Sequence, residues 1–239
     1  MQLSVFNSTS EISQYVTDSI IRLTQLKEGL VSIALSGGNT PKAIFQYWKA
    51  HITEIPWHRL AFYWVDERCV AQKSSESNYG EAKRIVFNFI GHPAPLLYPI
   101  NGANDAELEA EFISLRVKHS FPDNNPIPKF DLILLGVGTD GHTASIFPNN
   151  MDLLTDKRIY ATSTHPASNQ KRITLTGTVI NNAQNVFFVV TGADKKEILQ
   201  AIISQNQASK NYPAACLSPK HNVEWIVDKI AYDEQRSLL

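Results

Sequence analysis

Short runs of β-branched and aromatic residues alternate with longer amphipathic stretches along this chain, and that alternation limits the fold more than any other feature. Strands are expected at 31–35, 61–65, 131–135, 172–176, 186–191 and 223–227, and also at 159–163. Most of these runs are apolar throughout instead of alternating with polar residues. A strand reads that way when helices cover both of its faces. Between the strands, Ile12, Tyr15, Val16, Ser19 and Leu23 share one face of a first helix that should end near Gly29. Ile44, Tyr47, Trp48 and His51 repeat at helical spacing in a second, and 79–90, 106–120 and 195–204 suit three more. The pattern predicts an α/β fold, a doubly wound and mainly parallel sheet flanked by helices. Ligands then belong at the carboxyl ends of the strands.

The 239 residues fall between one and two domains by length. Proline-rich breaks at 92–95 and 122–128 are short and flanked by the same α/β pattern, so they read as surface loops of one domain spanning 1–239. Charge narrows the function. With 22 Lys plus Arg against 23 Asp plus Glu, no basic face stands out for a nucleic acid, although a local cluster can still hold a small anion. No apolar run nears the roughly 20 residues of a membrane span. The opening residues lack a basic stretch followed by an apolar one, so no secretory signal is read there. Cys69 and Cys216 form neither a disulfide framework nor a metal pattern, and two free thiols suit a reducing cytoplasm.

Three segments carry potential chemistry. In the first, an apolar strand runs into Ser36-Gly37-Gly38-Asn39-Thr40-Pro41, with Thr40 as the expected helix cap and Pro41 at the first helical position. Glycines let backbone N–H groups turn inward, and a helix N-terminus adds positive potential, which together favour a phosphate. No G-K-[ST] closes the segment, so it is not the nucleotide phosphate loop. An ordinary tight turn is the other reading. In the second, Asp66-Glu67-Arg68 follows an apolar strand directly. Extended backbone sends Asp66 and Arg68 one way and Glu67 the other. An acid and a guanidinium on one face would orient a polar substrate and meet developing negative charge; a surface salt-bridge cluster is the alternative.

The third segment runs Gly136-Val137-Gly138-Thr139-Asp140-Gly141-His142 and on to Phe147-Pro148. Its G-x-G-x-x-G spacing suggests a dinucleotide fingerprint. Pro148 cuts short the helix that fingerprint needs, and no strand with an acidic end follows about 20 residues on. What remains is a glycine-rich loop presenting Asp140 and His142, and a loop imidazole among anion-binding elements suits a general base. Lys171 and Arg172 open one strand, while Lys195 and Lys196 follow the end of another. Surface charge is the default for such residues. A cation at a helix start opposes the helix dipole, a cost that an anion nearby would offset. His51, His58, His92, His119, His165 and His221 show no ligand spacing, so no metal site is expected.

Taken together, Ser36 to Pro41, Trp64-Val65-Asp66-Glu67-Arg68, Ser77-Asn78 and Gly136 to Pro148 resemble the 6-phosphogluconolactonase family. Arg172 to Thr176, Gly192 to Lys195 and Glu224 to Asp228 extend the resemblance to nearly the whole chain. Asn39 stands where the family often has Ser, and the link from Pro166 to Arg172 matches only loosely. The resemblance implies a glucosamine-6-phosphate isomerase-like fold, hydrolysis of a sugar-phosphate lactone as a monomer, and no cofactor. It also implies His142 as the base, Arg68 on the oxyanion and Asp66 and Asp140 orienting the base or sugar. Gly37, Gly38, Thr40, Arg172 and Lys195 would hold phosphate or hydroxyls.

Two alternatives stand beside it. An isomerase/deaminase of glucosamine 6-phosphate shares the fold and Asp66, but its loop reads G-H-I-A-F-N-E-P, with a Glu absent between His142 and Pro148 here. A sugar-phosphate-binding regulator without catalysis is the other, and retention of Asp66, Arg68 and His142 argues against it.

Overall fold

A computed structural model describes residues 2–121 and 125–232. The expected loop at 122–128 therefore lies partly outside the described residues. Ten strands alternate with seven α-helices in the order β1 (Gln2–Phe6), α1 (Thr9–Leu26), β2 (Val31–Leu35), α2 (Asn39–Ala50), β3 (Leu60–Trp64), β4 (Asp66–Arg68), α3 (Asn78–Ile85) and β5 (Leu96–Tyr98). The chain continues through α4 (Ala106–Ser120), β6 (Leu132–Leu135), β7 (Tyr160–Thr164), β8 (Lys171–Leu175), α5 (Gly177–Asn182), β9 (Asn185–Val190), α6 (Lys196–Ile203), α7 (Pro213–Cys216) and β10 (Asn222–Asp228).

Seven strands make one parallel sheet in the order β1-β10-β9-β6-β2-β3-β5. From β2 the chain builds outward through β3 and β5; from β6 it builds the other way through β9 and β10. The order reverses between β2 and β6, and a crevice opens at such a switch point. Every residue of β2, β3 and β6 is buried, which is why these runs read as uninterrupted apolar sequence. Trp48, Phe62, Trp64, Phe130 and Phe188 fill the core between sheet and helices.

The runs at 159–163 and 172–176 were expected as strands but belong elsewhere. They form β7 and β8, which pair antiparallel with β4 in a second, three-stranded sheet. Strand β8 runs from an exposed Lys171 to a buried end and pairs with β4 over only three residues, so it is not a parallel strand covered on both faces. Both sheets share one hydrophobic core, to which Tyr160, Ile173 and Leu175 contribute.

Side-chain caps set the helix starts. Ser8 accepts from Glu11 N, and the Glu11 carboxylate reaches back to Asn7 N (2.9 Å). Asp105 caps α4 through the N–H groups of Glu107 and Leu108. Helix α3 stops at Ile85, and 87–89 forms a separate 3₁₀ turn, so the helix expected over 79–90 is broken at Val86 (φ −130°). Strands β1 and β5 and helices α5 and α7 gave no readable pattern, because each is short and takes its place from a neighbouring strand or loop.

Candidate active site

A polar cavity of about 370 Å³ opens at the carboxyl ends of β9, β6, β2 and β3. The chain leaves these strands at the Ser36, Asp66, Gly136 and Thr191 turns, and all four turns line the cavity.

The Ser36 turn is held by Ser36 Oγ, which donates to Leu134 O at 2.8 Å and ties β2 to β6. Gly37 is needed for space. A Cβ there would fall 1.8 Å from Asn78 Oδ1. Gly38 is needed for conformation, at φ 106° as the N-cap of α2. The cap expected at Thr40 is thus displaced to Gly38, because the strand turns one residue pair earlier than the Thr-Pro pattern suggests. Thr40 Oγ1 instead shares a 2.7 Å hydrogen bond with Thr191 Oγ1, fastening the start of α2 to the end of β9. With no side chain capping α2, its first N–H groups stay available to a ligand anion.

Strand β4 divides its three charges as extended backbone requires. Asp66 is buried and accepts from Ser145 Oγ (2.6 Å) and Asn78 Nδ2 (3.2 Å). Glu67 turns the other way, where its carboxylate accepts from Arg68 N and Asn78 N (both 2.8 Å), and from Ser77 Oγ and Tyr79 N (both 2.9 Å). Burial raises the Glu67 pKa against the pull of those four donors. Glu67 therefore anchors β4 to the start of α3 and fixes both Arg68 and Asn78. Arg68 donates through Nη1 to Glu76 O at 2.5 Å, while its buried Nε has no protein partner.

The loop after β6 presents His142. Gly138 N donates to His142 O (2.8 Å) and Gly141 N to Gly138 O (3.0 Å), closing a tight turn. Asp140 Oδ1 accepts from His142 N (3.1 Å) and from Nδ1 (2.6 Å). Burial would raise the Asp140 pKa, but the hydrogen bond and charge of His142 outweigh it and hold the carboxyl down at about 2. Asp140 is therefore an ionised acceptor, the Nδ1 proton is committed to it, and His142 Nε2 is left as the free basic nitrogen. Gly138 makes room for this arrangement, since a Cβ there would sit 2.1 Å from His142 Nδ1. Phe147 backs the imidazole at 4.9 Å between ring centres. No helix follows this loop before Pro148, as the rejected dinucleotide reading required.

Two further cations face the cavity. Arg172 stands opposite Arg68 across the β4–β8 ladder, its Nε likewise buried without a partner. Burial lowers its pKa, opposed by the Asp66 carboxylate and aided to a smaller extent by the Arg68 charge. Lys195 belongs to the turn before α6, which begins at Lys196, so it precedes the helix instead of opening it. Its ammonium lies 3.1 Å from Asp194 Oδ2.

Gly37, Gly38, Thr40, Asp66, Arg68, His142, Arg172 and Lys195 thus meet in one cavity. Asp140 stands behind His142 and does not line it. The cavity also takes in Asn78, Ser145, His165 and Thr191, to which the sequence reading gave no role in the site. Asn78 was within reach, as the residue beside the Ser77 cap of α3. Ser145 had no local signal; its role comes from Asp66, 79 positions away. Among the described residues, no group of three or more His, Cys, Asp or Glu is placed to hold a metal ion.

Fold and site define an α/β protein with a cation-rich cavity at the switch point of its sheet and an Asp–His pair in the cavity wall. Residues 7–226 match the model of the glucosamine-6-phosphate isomerases/6-phosphogluconolactonase family, and the chain belongs to that family. The 6-phosphogluconolactonase of Haemophilus influenzae is 37% identical over 204 residues, 84% of this chain and 86% of its own. That of Treponema pallidum is 33% identical over 227 residues, covering 95% and 93%. Among solved structures, the 6-phosphogluconolactonase from Trypanosoma cruzi superimposes with a TM-score of 0.82 at 28% identity, covering 96% of this chain and 95% of that one.

Proposed function

We propose that this chain hydrolyses 6-phospho-D-glucono-1,5-lactone to 6-phospho-D-gluconate, the second step of the oxidative pentose phosphate pathway. One observation carries the reading. A base held by an ionised carboxylate shares its cavity with an open helix N-terminus and three cations, which suits a substrate with a phosphate at one end and an acyl carbon at the other. The names of the relatives agree with it.

His142 Nε2 takes a proton from a water whose oxygen bonds to the lactone carbonyl carbon. The carbonyl oxygen becomes an oxyanion, stabilised by the Arg68 guanidinium. As the carbonyl re-forms, the ring C–O bond breaks and the departing oxygen takes the proton from His142. The ring has opened to a hydroxyl and a carboxylic acid, which ionises in water. Asp140 keeps the imidazole in the tautomer this cycle needs and stabilises it when charged. Asp66, buried and held by Ser145 and Asn78, orients the sugar. Gly37, Gly38, Thr40, Arg172 and Lys195 hold the phosphate or the hydroxyls near it. No helix among the described residues is long and apolar enough to cross a membrane. Every group in the cycle comes from one chain, which supports action as a monomer, and two free thiols suit the cytoplasm.

The test is a coupled assay on freshly generated 6-phosphogluconolactone, with spontaneous opening subtracted. Acceleration of the opening, with no turnover of glucosamine 6-phosphate, is the expected result. Turnover of the amino sugar instead would reverse the assignment.

A further inference from the structure

A second imidazole lines the cavity and has no part in the cycle above. His165 directly follows β7, and a six-residue hairpin from His165 to Gln170 leads on to Arg172. The hairpin is closed by His165 N to Gln170 O (3.0 Å) and Asn169 N to His165 O (2.9 Å). Its ring is fixed from two sides. Phe147, 1% exposed, packs edge-on against it at 5.1 Å and 81°, and the same Phe147 ring backs His142. On the other side Nδ1 accepts from Ser168 N (3.1 Å) and, at longer range, from Ala167 N (3.3 Å).

Those two backbone amides can only donate, and the Ser168 hydroxyl, also 3.1 Å from Nδ1, can donate as well, so Nδ1 is the unprotonated nitrogen. The single proton of the neutral ring then sits on Nε2, which has no hydrogen-bond partner among the described residues. Burial, Arg172 and His142 all push the His165 pKa down, with Asp140 opposing and Arg68 adding to the depression. The ring is therefore neutral, rigid and of one tautomer, and it offers one N–H to a cavity that binds oxygen-rich ligands. A base needs a free lone pair facing the substrate; here the lone pair faces the hairpin.

We propose that His165 is a substrate-binding residue whose Nε2–H donates to an oxygen of the bound sugar phosphate, beside the Arg172 guanidinium. The identity of that substrate rests on the lactonase reading. The acceptor is either a phosphate oxygen or a sugar hydroxyl, and both are the same chemistry to an uncharged N–H.

Two substitutions separate this role from bracing of the hairpin. His165→Asn places an amide oxygen near the Nδ1 position and can still accept from Ser168 N, but it has nothing at Nε2. His165→Gln can place an amide nitrogen near Nε2 and gives up the acceptor at Nδ1. The expected result is a KM raised about 3–10-fold in His165→Asn, the scale of a neutral hydrogen bond. The loss should fall on KM and not on kcat, and His165→Gln should recover most of it. Affinity for the product, 6-phosphogluconate, measured by titration calorimetry, should fall by the same factor in His165→Asn. This binding arm reads the contact even where turnover of the lactone is absent, so a failure of the functional reading is seen separately in the wild-type assay. Repeating the kinetics with unphosphorylated gluconolactone names the acceptor: a loss that vanishes points to the phosphate, and a loss that persists points to a hydroxyl. A wild-type His165→Asn with an impaired His165→Gln would overturn the proposal in favour of a hairpin brace. Equal impairment of both, or a fall in kcat at constant KM, would also overturn it.

Discussion

Arg68 and Arg172 stand directly opposite one another across the β4–β8 ladder, and no carboxylate among the described residues lies within 4 Å of either guanidinium. Both Nε atoms are buried and unpartnered. Like charges directly opposite one another in a sheet are unfavourable, and here the Asp66 carboxylate offsets the repulsion on Arg172. An anion bound in the proposed site would add to that offset. Arg172→Leu should therefore leave thermal stability unchanged or slightly raised, while kcat/KM falls by about 1.5–3 kcal/mol, the worth of a hydrogen bond to a charged group. Thermal melts and steady-state kinetics on one preparation check both halves. A clear drop in Tm with full activity would make Arg172 structural.

The assignment of the base to His142 predicts its own loss. His142→Asn keeps polarity and approximate size but cannot take the proton. It should lower kcat by about 10²–10⁴-fold, with KM little changed because the phosphate contacts remain. If the mutant keeps its kcat and loses affinity, the base lies elsewhere, and Asp66 is the next residue to replace.

Gly138 carries no chemistry, yet activity should depend on it. An added methyl group would meet His142 Nδ1 and Asp140 Oδ1, at 2.1 and 2.6 Å from the new Cβ. Moving the imidazole by about 1 Å is enough to cost roughly 10²-fold in rate. We expect Gly138→Ala to lose kcat on that scale, with substrate affinity largely retained. Full activity would mean that the imidazole need not be held where it is.

Asp140 links catalysis to acid stability. Its folded-state pKa of about 2 lies below the ordinary aspartate value of 3.8. A depressed carboxyl contributes stability that is complete above the unfolded pKa and is lost as pH falls through the folded one. Asp140 should thus add to stability above about pH 4 and lose that contribution between about pH 4 and 2. Its side chain is 41% exposed, so solvent screening limits the contribution to about 1 kcal/mol or less. Asp140→Asn should flatten the stability profile across that window and lower kcat by loosening the His142 tautomer. Urea melts from pH 2 to 6 read the first effect, and an unchanged profile would argue against the pairing.

Lys195 should serve the phosphate alone. Lys195→Ala is expected to reduce kcat/KM on the phosphorylated lactone by about 1.5–3 kcal/mol. On gluconolactone without phosphate the reduction should nearly disappear. Equal losses on both substrates would assign Lys195 to the sugar or the reacting carbon.

The local signals in the sequence were enough to predict the parallel α/β sheet and much of the site. Uninterrupted apolar runs such as Val31–Leu35 mark strands covered on both faces, and the residues at their carboxyl ends must gather at one edge of the sheet. Gly37, Gly38, Asp66, Arg68 and His142 were legible for that reason, each being tied to a strand end within a few residues. Other features depend on partners distant in the chain, and local pattern carries no trace of them. Strands β7 and β8 form a sheet of their own because β4 leaves the main sheet and offers them an edge. Thr40 is no cap because α2 already begins at Asn39, its hydroxyl going to Thr191 instead, and Asp140 serves His142 and not the cavity because its carboxylate is bound to the imidazole. Ser145 and His165 enter the site only through Asp66 and Phe147. Strand ends and turns, readable locally, determined which chemical groups the candidate site has; tertiary structure decided which of them touch, because hydrogen bonds and ring contacts between distant segments exist only once the sheet has brought those segments together.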